Sequence, residues 1–312
     1  MRTACTALAP ASLSNLGPGY DCLGMAIEGW GDRVSAERQS EPGVVVDHAP
    51  DSIWTGPSAP DMNTAAVAAA HVLNACGSLH GVRLTIRKGI RAGTGLGSSA
   101  SSAVAGALAA AGLMGLESEH ALVLEAALAG EAVASGARHG DNVLPCLLGG
   151  TVLSHSDNPF VYERLNPGYD LHFAVLLPDV EVTTRSARSE LPASIPLAHA
   201  VRHASRLAML VQALTAGSPE SFGKAIMEDA LIEPVRARML PFFGTVKQRA
   251  LSEGAFGCAL SGSGPSMFAV CRDPAHAAGV AQAMLGAARE MGADGHVRVS
   301  RPDERGARLE GP

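Results

Sequence analysis

The 312-residue sequence predicts an α+β fold in two domains. Three stretches carry that expectation. Residues 82–87, Val-Arg-Leu-Thr-Ile-Arg, alternate apolar and polar side chains as a half-buried strand does. They lead through a glycine-rich loop at 93–102 into an Ala/Leu-rich helical run at 103–116. Residues 157–170, rich in Asn, Pro and Gly, mark a boundary that divides the chain into 1–160 and 161–312. Beyond it, a second glycine-rich turn at 254–268 lies between strand-like residues, with a helical run at 274–291 after it.

The loop at 93–102 reads Gly-Thr-Gly-Leu-Gly-Ser-Ser-Ala-Ser-Ser. Its glycines free the backbone to turn tightly and to approach a ligand. Ser98 or Ser99 is placed to cap the helix that follows. Free N–H groups at a helix start attract anions, so phosphate is the natural ligand. A Walker loop is excluded, because no lysine stands between Lys88 and Lys224. A dinucleotide fingerprint fails as well. Glu117 has the spacing of the ribose-binding acid, but no apolar strand precedes it.

Aromatic residues make up 4%, so the core must be built from Ala, Val, Leu and Ile. A net charge of −6 leaves no electrostatic footprint for nucleic acid or an anionic membrane. The six cysteines form no C-x-x-C pair, which fits reduced thiols in a cytosol. Met1-Arg2-Thr3 leads into a strand-like stretch rather than a signal peptide, and the longest apolar run is too short to span a bilayer. A soluble cytoplasmic protein is expected, with small-molecule partners.

The remaining elements follow in order. Residues 2–9 read as a strand, and 10–24 as a loop carrying two polar side chains, Asn15 and Asp21. Residues 34–46 suggest a hairpin around Glu41-Pro42-Gly43. Asn63 is placed as N-cap of an alanine-rich helix at 63–73, and Ser118 as N-cap of a helix at 118–135 that carries Glu125 and Glu131. After His139-Gly140-Asp141-Asn142-Val143 and the boundary, 171–177 is a strand. Helices are expected at 201–214, 222–229 and 242–252, and a last strand at 296–300. Asp273 caps the 274–291 helix, with Pro274 at its first position.

Several of these stretches resemble the GHMP kinases. Gly-Leu-Gly-Ser-Ser-Ala at 95–100 matches the family's phosphate loop, with Arg91 where proline is usual. Pro-Ala-Ser-Leu-Ser-Asn-Leu-Gly-Pro-Gly-Tyr-Asp at 10–21 is similar to the first motif in its homoserine kinase form, with Ser14 for Ala and Tyr20 for Phe. Residues 139–143 resemble His-Pro-Asp-Asn-Val, with Gly140 for proline. Residues 178–188 match Pro-Asp-x-x-x-x-Thr-x-x-Ala-Arg, and 254–268 the third motif. The motifs keep the family's order and cover essentially the whole chain.

The resemblance implies an N-terminal domain with a left-handed β-α-β unit, an exception to the usual handedness, and a ferredoxin-like C-terminal domain. It implies ATP:L-homoserine phosphotransfer with ATP and Mg2+. The nucleotide would lie along Arg91, Gly93, Thr94, Gly95, Leu96, Gly97, Ser98, Ser99, Ala100 and Ser101, with Asn63 near the base. Ser98 and Glu131 would hold the metal. Asp21 would receive the substrate ammonium, and Arg188 and Arg236 its carboxylate. Asn15, His139 and Thr184 would complete the cradle, and Asn142 would contact the hydroxyl. Asp141 stays open as a base. Two other readings remain at this point: a kinase of another alcohol, such as mevalonate or a sugar, and a non-catalytic nucleotide binder. Dimers are common in the family, so a homodimer is an expected assembly.

Overall fold

Two sheets, each with alternating side chains, carry the molecule, and the computed structural model describes residues 2–311 of it. The first domain begins with β1 (Ala4–Ser14), β2 (Leu23–Gln39) and β3 (Val44–His48). Then come α1 (Thr64–Ala75), β4 (Gly81–Arg87), α2 (Ser98–Met114), α3 (His120–Ser135) and α4 (Gly140–Leu148). β5 (Thr151–Ser154) and β6 (Tyr162–Leu165) follow as a hairpin, β5 also pairing with the start of β2. β3 and β4 pair in parallel through the α1 crossover.

The expected hairpin at 34–46 does not form: β4 lies between β2 and β3. The turn residues were read correctly, but the crossover through α1 brings a better partner to each strand. β1 and β2 pair along their whole length except at Pro10/Ala11, where residues 28–30 bulge out. Pro10 lacks an N–H, and a bulge is where a strand tolerates that. The bulge also bends the ribbon. Before it on β1, Cys5, Ala7 and Ala9 face the α1–α4 core, and after it Ala11 and Leu13 face the second domain.

The second domain runs through β7 (His172–Pro178), α5 (Thr184–Ser189), α6 (Leu197–Ala216) and α7 (Pro219–Ile226). It continues with α8 (Glu233–Arg236), α9 (Phe243–Ser252), β8 (Gly257–Leu260), β9 (Met267–Cys271), α10 (Pro274–Glu290) and β10 (Gly295–Ser300). The strand order β10-β7-β9-β8, all antiparallel, is the ferredoxin-like arrangement. Both faces of this sheet are buried. Ala174 and Leu176 of β7 pack with α9 and α10, while Phe173 and Val175 point to a core shared with the first domain. Phe173 meets Phe268 there edge to face, 5.9 Å between ring centroids.

The chain then returns. β11 (Arg308–Glu310) pairs with β1 at the edge of the first sheet. The expected division at residue 160 falls inside the β5–β6 hairpin, so β6 and β11 both belong to the first sheet.

Small residues build the first core, as the scarcity of aromatics requires. α2 is buried along nearly its whole length, and its Gly106 lies where a Cβ would stand 2.5 Å from the Ala65 carbonyl of α1. Asp273 caps α10 by accepting from the His276 N–H, with Pro274 at the first position as expected. α3 starts at His120 rather than at a Ser118 cap.

Candidate active site

The glycine loop enters the cleft between the domains in a left-handed conformation at Gly93, Gly95 and Gly97 (φ +71°, +78° and +67°). Two of these glycines are also fixed by space. A Cβ on Gly97 would stand 2.1 Å from the Ser12 hydroxyl, and one on Gly95 2.5 Å from the Ser261 carbonyl. Gly97 is itself the cap residue of α2, and neither Ser98 nor Ser99 takes that role. The 254–268 motif braces the loop: the Ser261 hydroxyl donates to the Gly95 carbonyl at 2.6 Å, and the Ser266 N–H to the Thr94 carbonyl at 3.2 Å.

Beneath the loop lies a buried ion pair that no sequence motif announced. Lys88 Nζ donates to Asp32 and to the hydroxyls of Ser98 (2.7 Å) and Ser102 (2.9 Å). Asp32 also accepts from the N–H groups of Gly89 and Ile90. The arrangement pins the first turn of α2 to the end of β4. Lys88 stands at the end of an alternating strand with no acid nearby in sequence, so only the fold reveals its partner.

A cavity of about 220 Å³ opens beside the loop. Gly93, Thr94, Gly95, Gly97, Ser98, Ser99 and Glu131 line it, and so do Asn15, Asp21, His139, Asn142, Thr184, Arg188 and Arg236. The structure thus brings together residues from six separate stretches of sequence. Five residues expected around the nucleotide stand outside this lining. Arg91 is exposed on the other side of the loop, in a groove with Trp30 and Arg298. Leu96 and Ala100 are buried apolar packing, and the Ser101 hydroxyl is spent on the Ala9 carbonyl and the Asp32 N–H. Asn63 is likewise engaged at the start of α1. Its side-chain oxygen caps α1 through the N–H groups of Ala65 and Ala66, and one N–H of its amide donates to the Pro57 carbonyl at 2.8 Å. The cap reading of Asn63 therefore holds.

The substrate side of the cavity rests on the loop between β1 and β2. Asn15, Leu16 and Asp21 all have positive φ there, a conformation that costs a non-glycine residue about 1–2 kcal/mol. Packing holds it: Leu16 is fully buried, and a Cβ on Gly17 would lie 2.1 Å from the Ile226 carbonyl of α7. The loop presents Asp21 to Arg188, and the two form a bidentate pair at 2.8 Å and 2.8 Å. Arg236 is buried, donating to the Gly262 carbonyl at 2.8 Å, with Nε unpartnered. Both guanidiniums lie over the Tyr20 ring, Arg188 at 5.4 Å and Arg236 at 5.1 Å from its centroid.

His139 Nδ1 lies 3.9 Å from Asp21, and burial pulls the imidazole pKa down. Asn142 accepts from the Ser12 hydroxyl at 2.8 Å through Oδ1, which fixes the amide so that its NH2 end is the donor left for a ligand. Next to it, Asp141 is buried, and burial pushes its carboxyl up to about 7. Thr184 is exposed at the first position of α5, and its neighbour Thr183 supplies the helix cap.

Ser98 and Glu131, the expected metal pair, both line the cavity. The Ser98 hydroxyl donates to the Ile90 carbonyl at 2.9 Å and accepts from Lys88. The hydroxyls of Ser99 and Ser135 favour the charged form of Glu131. Glu131 is buried, its Oε2 has no hydrogen-bond partner, and burial pushes its carboxyl up to about 7. A sealed carboxylate oxygen beside a hydroxyl, on the wall of a phosphate-type cavity, fits Mg2+, which takes one or two protein oxygens with phosphates and water.

A glycine loop at a helix start, a buried glutamate beside it and a charged pocket define a small-molecule kinase. The chain matches the GHMP kinases N terminal domain over residues 63–150 and the GHMP kinases C terminal domain over 210–289. It is 39% identical to the homoserine kinase of Thermococcus kodakarensis over 94% of this chain and 96% of that one. It is also 39% identical to that of Pyrococcus abyssi, over 84% and 86%. The solved structure of homoserine kinase from Cytophaga hutchinsonii superposes with a TM-score of 0.92 at 34% identity, covering 99% of this chain and 98% of that one. The chain belongs to the GHMP kinases.

Proposed function

We propose that this kinase transfers the γ-phosphoryl group of ATP to the hydroxyl of L-homoserine, giving O-phospho-L-homoserine for threonine biosynthesis. The observation that carries the reading is the charge set of the pocket. Asp21, Arg188 and Arg236 line the part of the cavity away from the phosphate loop, and Glu131, Asp141 and Glu181 line the cavity as well. The set of Asp21, Arg188 and Arg236 matches an ammonium and a carboxylate on one small molecule. A sugar offers neither charge, and mevalonate offers a carboxylate but no ammonium. The relatives, homoserine kinases, point the same way.

The Asn142 amide, oriented by Ser12, is suited to hold the substrate hydroxyl in line with the phosphoryl group. Phosphoryl transfer through a loose transition state asks chiefly for such positioning and for charge neutralisation. Bound at Glu131, Mg2+ would neutralise charge on the nucleotide phosphates. Asp141, largely buried at the cavity wall, serves here to orient the Asn142 turn. The six cysteines are all free, in keeping with a place in the cytosol, where ATP and Mg2+ are supplied. Among the described residues no helix is long and apolar enough to cross a membrane.

The test is ADP release in a coupled assay with Mg·ATP and L-homoserine, D-homoserine, L-serine, mevalonate or galactose. Turnover is expected with L-homoserine alone. Asn142→Ala should lower kcat about a hundredfold with little change in the KM for ATP. Turnover of mevalonate or galactose in place of homoserine would overturn the reading.

A further inference from the structure

We infer that Asp21 and Arg188 form a self-closing pair that only a zwitterion exchanges well, so that the pair selects an α-amino acid over a singly charged alcohol. The inference rests on the homoserine reading and deepens it. Without substrate, the residue suited to the ammonium and one of those suited to the carboxylate satisfy each other through two 2.8 Å hydrogen bonds. Each therefore stands in for the substrate group its partner is suited to bind.

The surroundings make this pair costly to open halfway. The Asp21 side chain is 17% exposed, so water screens it poorly, while Arg188 at 35% keeps part of its hydration. His139, the nearest other base, is held toward its neutral form and does not replace the cation. Arg236 is 3% exposed and has no carboxylate within ion-pair distance among the described residues. It shares the Tyr20 ring with Arg188.

A carboxylate alone either meets Arg236 only, with the pair still closed, or draws Arg188 away and strands Asp21. An ammonium alone can take Asp21, but it leaves two guanidiniums over one ring without an anion. Stranding a poorly solvated charge is strongly unfavourable. A zwitterion returns a partner to every charge it displaces and adds an anion for Arg236. Discrimination thus arises from what a wrong ligand leaves unpaired, as well as from what the right one touches.

Two truncated alcohols separate these effects. 4-Hydroxybutanoate keeps the carboxylate and the terminal hydroxyl, and 3-aminopropan-1-ol keeps the ammonium and the hydroxyl. Their kcat/KM and calorimetric Kd would be measured with the parent enzyme and with Asp21→Asn. Asn accepts the φ of +58° at this position, so the loop is retained. The parent should turn over homoserine and bind both truncated alcohols poorly.

Asp21→Asn should lose about a hundredfold in kcat/KM for homoserine and bind 4-hydroxybutanoate about tenfold more tightly than the parent does. Arg188→Gln is the mirror variant, usable if the first does not fold, and should gain toward 3-aminopropan-1-ol. If both variants lose affinity for the truncated alcohols in step with homoserine, the pair is an ordinary contact and the inference is overturned. Homoserine turnover by the parent enzyme is read in the same assay. Its absence would defeat the functional reading itself, whereas turnover without the gain defeats the pair alone.

Discussion

Asp141 shows how a single buried carboxyl sets a pH response. Its ordinary value is near 3.8, and burial pushes it up to about 7. The folded chain therefore holds this proton more tightly than the unfolded chain does. The stability that follows is fully present below about pH 4 and is lost as pH rises through about 7. Asp141→Asn removes the loss, so the variant should melt above the parent at pH 8 and no higher at pH 4. The difference should be at most about 4 kcal/mol. Thermal melts at the two pH values decide this, and an equal gap at both would rule the account out. Glu131 is raised in the same direction, partly by the Asp141 charge, so Asp141→Asn relieves part of its response as well. Lys88 and Asp32 mark what residue identity alone conceals. They lie 56 positions apart, and nothing in either stretch of sequence marks the other as its partner.

At the scale of elements, the glycine loop is held in shape by what surrounds it. Gly97→Ala would place a methyl group against the Ser12 hydroxyl that orients Asn142. The variant should lose about tenfold or more in kcat and about 1–2 kcal/mol in stability. Gly115, the C-cap of α2, has a similar φ of +74° but open space around it. Gly115→Ala should show the stability loss alone. Steady-state kinetics and melts of the two variants separate loop geometry from backbone strain, and equal kcat in both would refute the distinction. The loop, the Asn15–Asp21 turn and the Asp141–Asn142 turn were legible because each is a short contiguous stretch with a fixed local chemistry. The pairing of β3 was not, because its partner is chosen by a crossover rather than by the turn at 40–43. The α2 cap was missed for a related reason: Lys88, ten positions upstream, claims the Ser98 hydroxyl. The Asp21–Arg188 contact joins residues 167 positions apart, each read correctly as a ligand group but not as a partner of the other.

On the scale of the whole molecule, the two domains share a core through Phe173, Phe268, Leu13 and Met25, so the cleft is set between halves that pack on each other. The first sheet is completed by β11, which also brings Glu310 to Arg33 at 2.8 Å. Removing residues 308–310 should lower the melting temperature and speed hydrogen exchange at Thr6, Ala7 and Leu8, while β7 keeps its protection. Uniform loss of protection in both sheets would show that they melt as one unit. The place of β11 also bears on the order in which the protein is made. A ribosome delivers residues 172–300 as one unbroken stretch, so the second domain can complete its sheet while the first still lacks an edge strand. The half of the molecule that carries the glycine loop is begun before the second domain and finished after it.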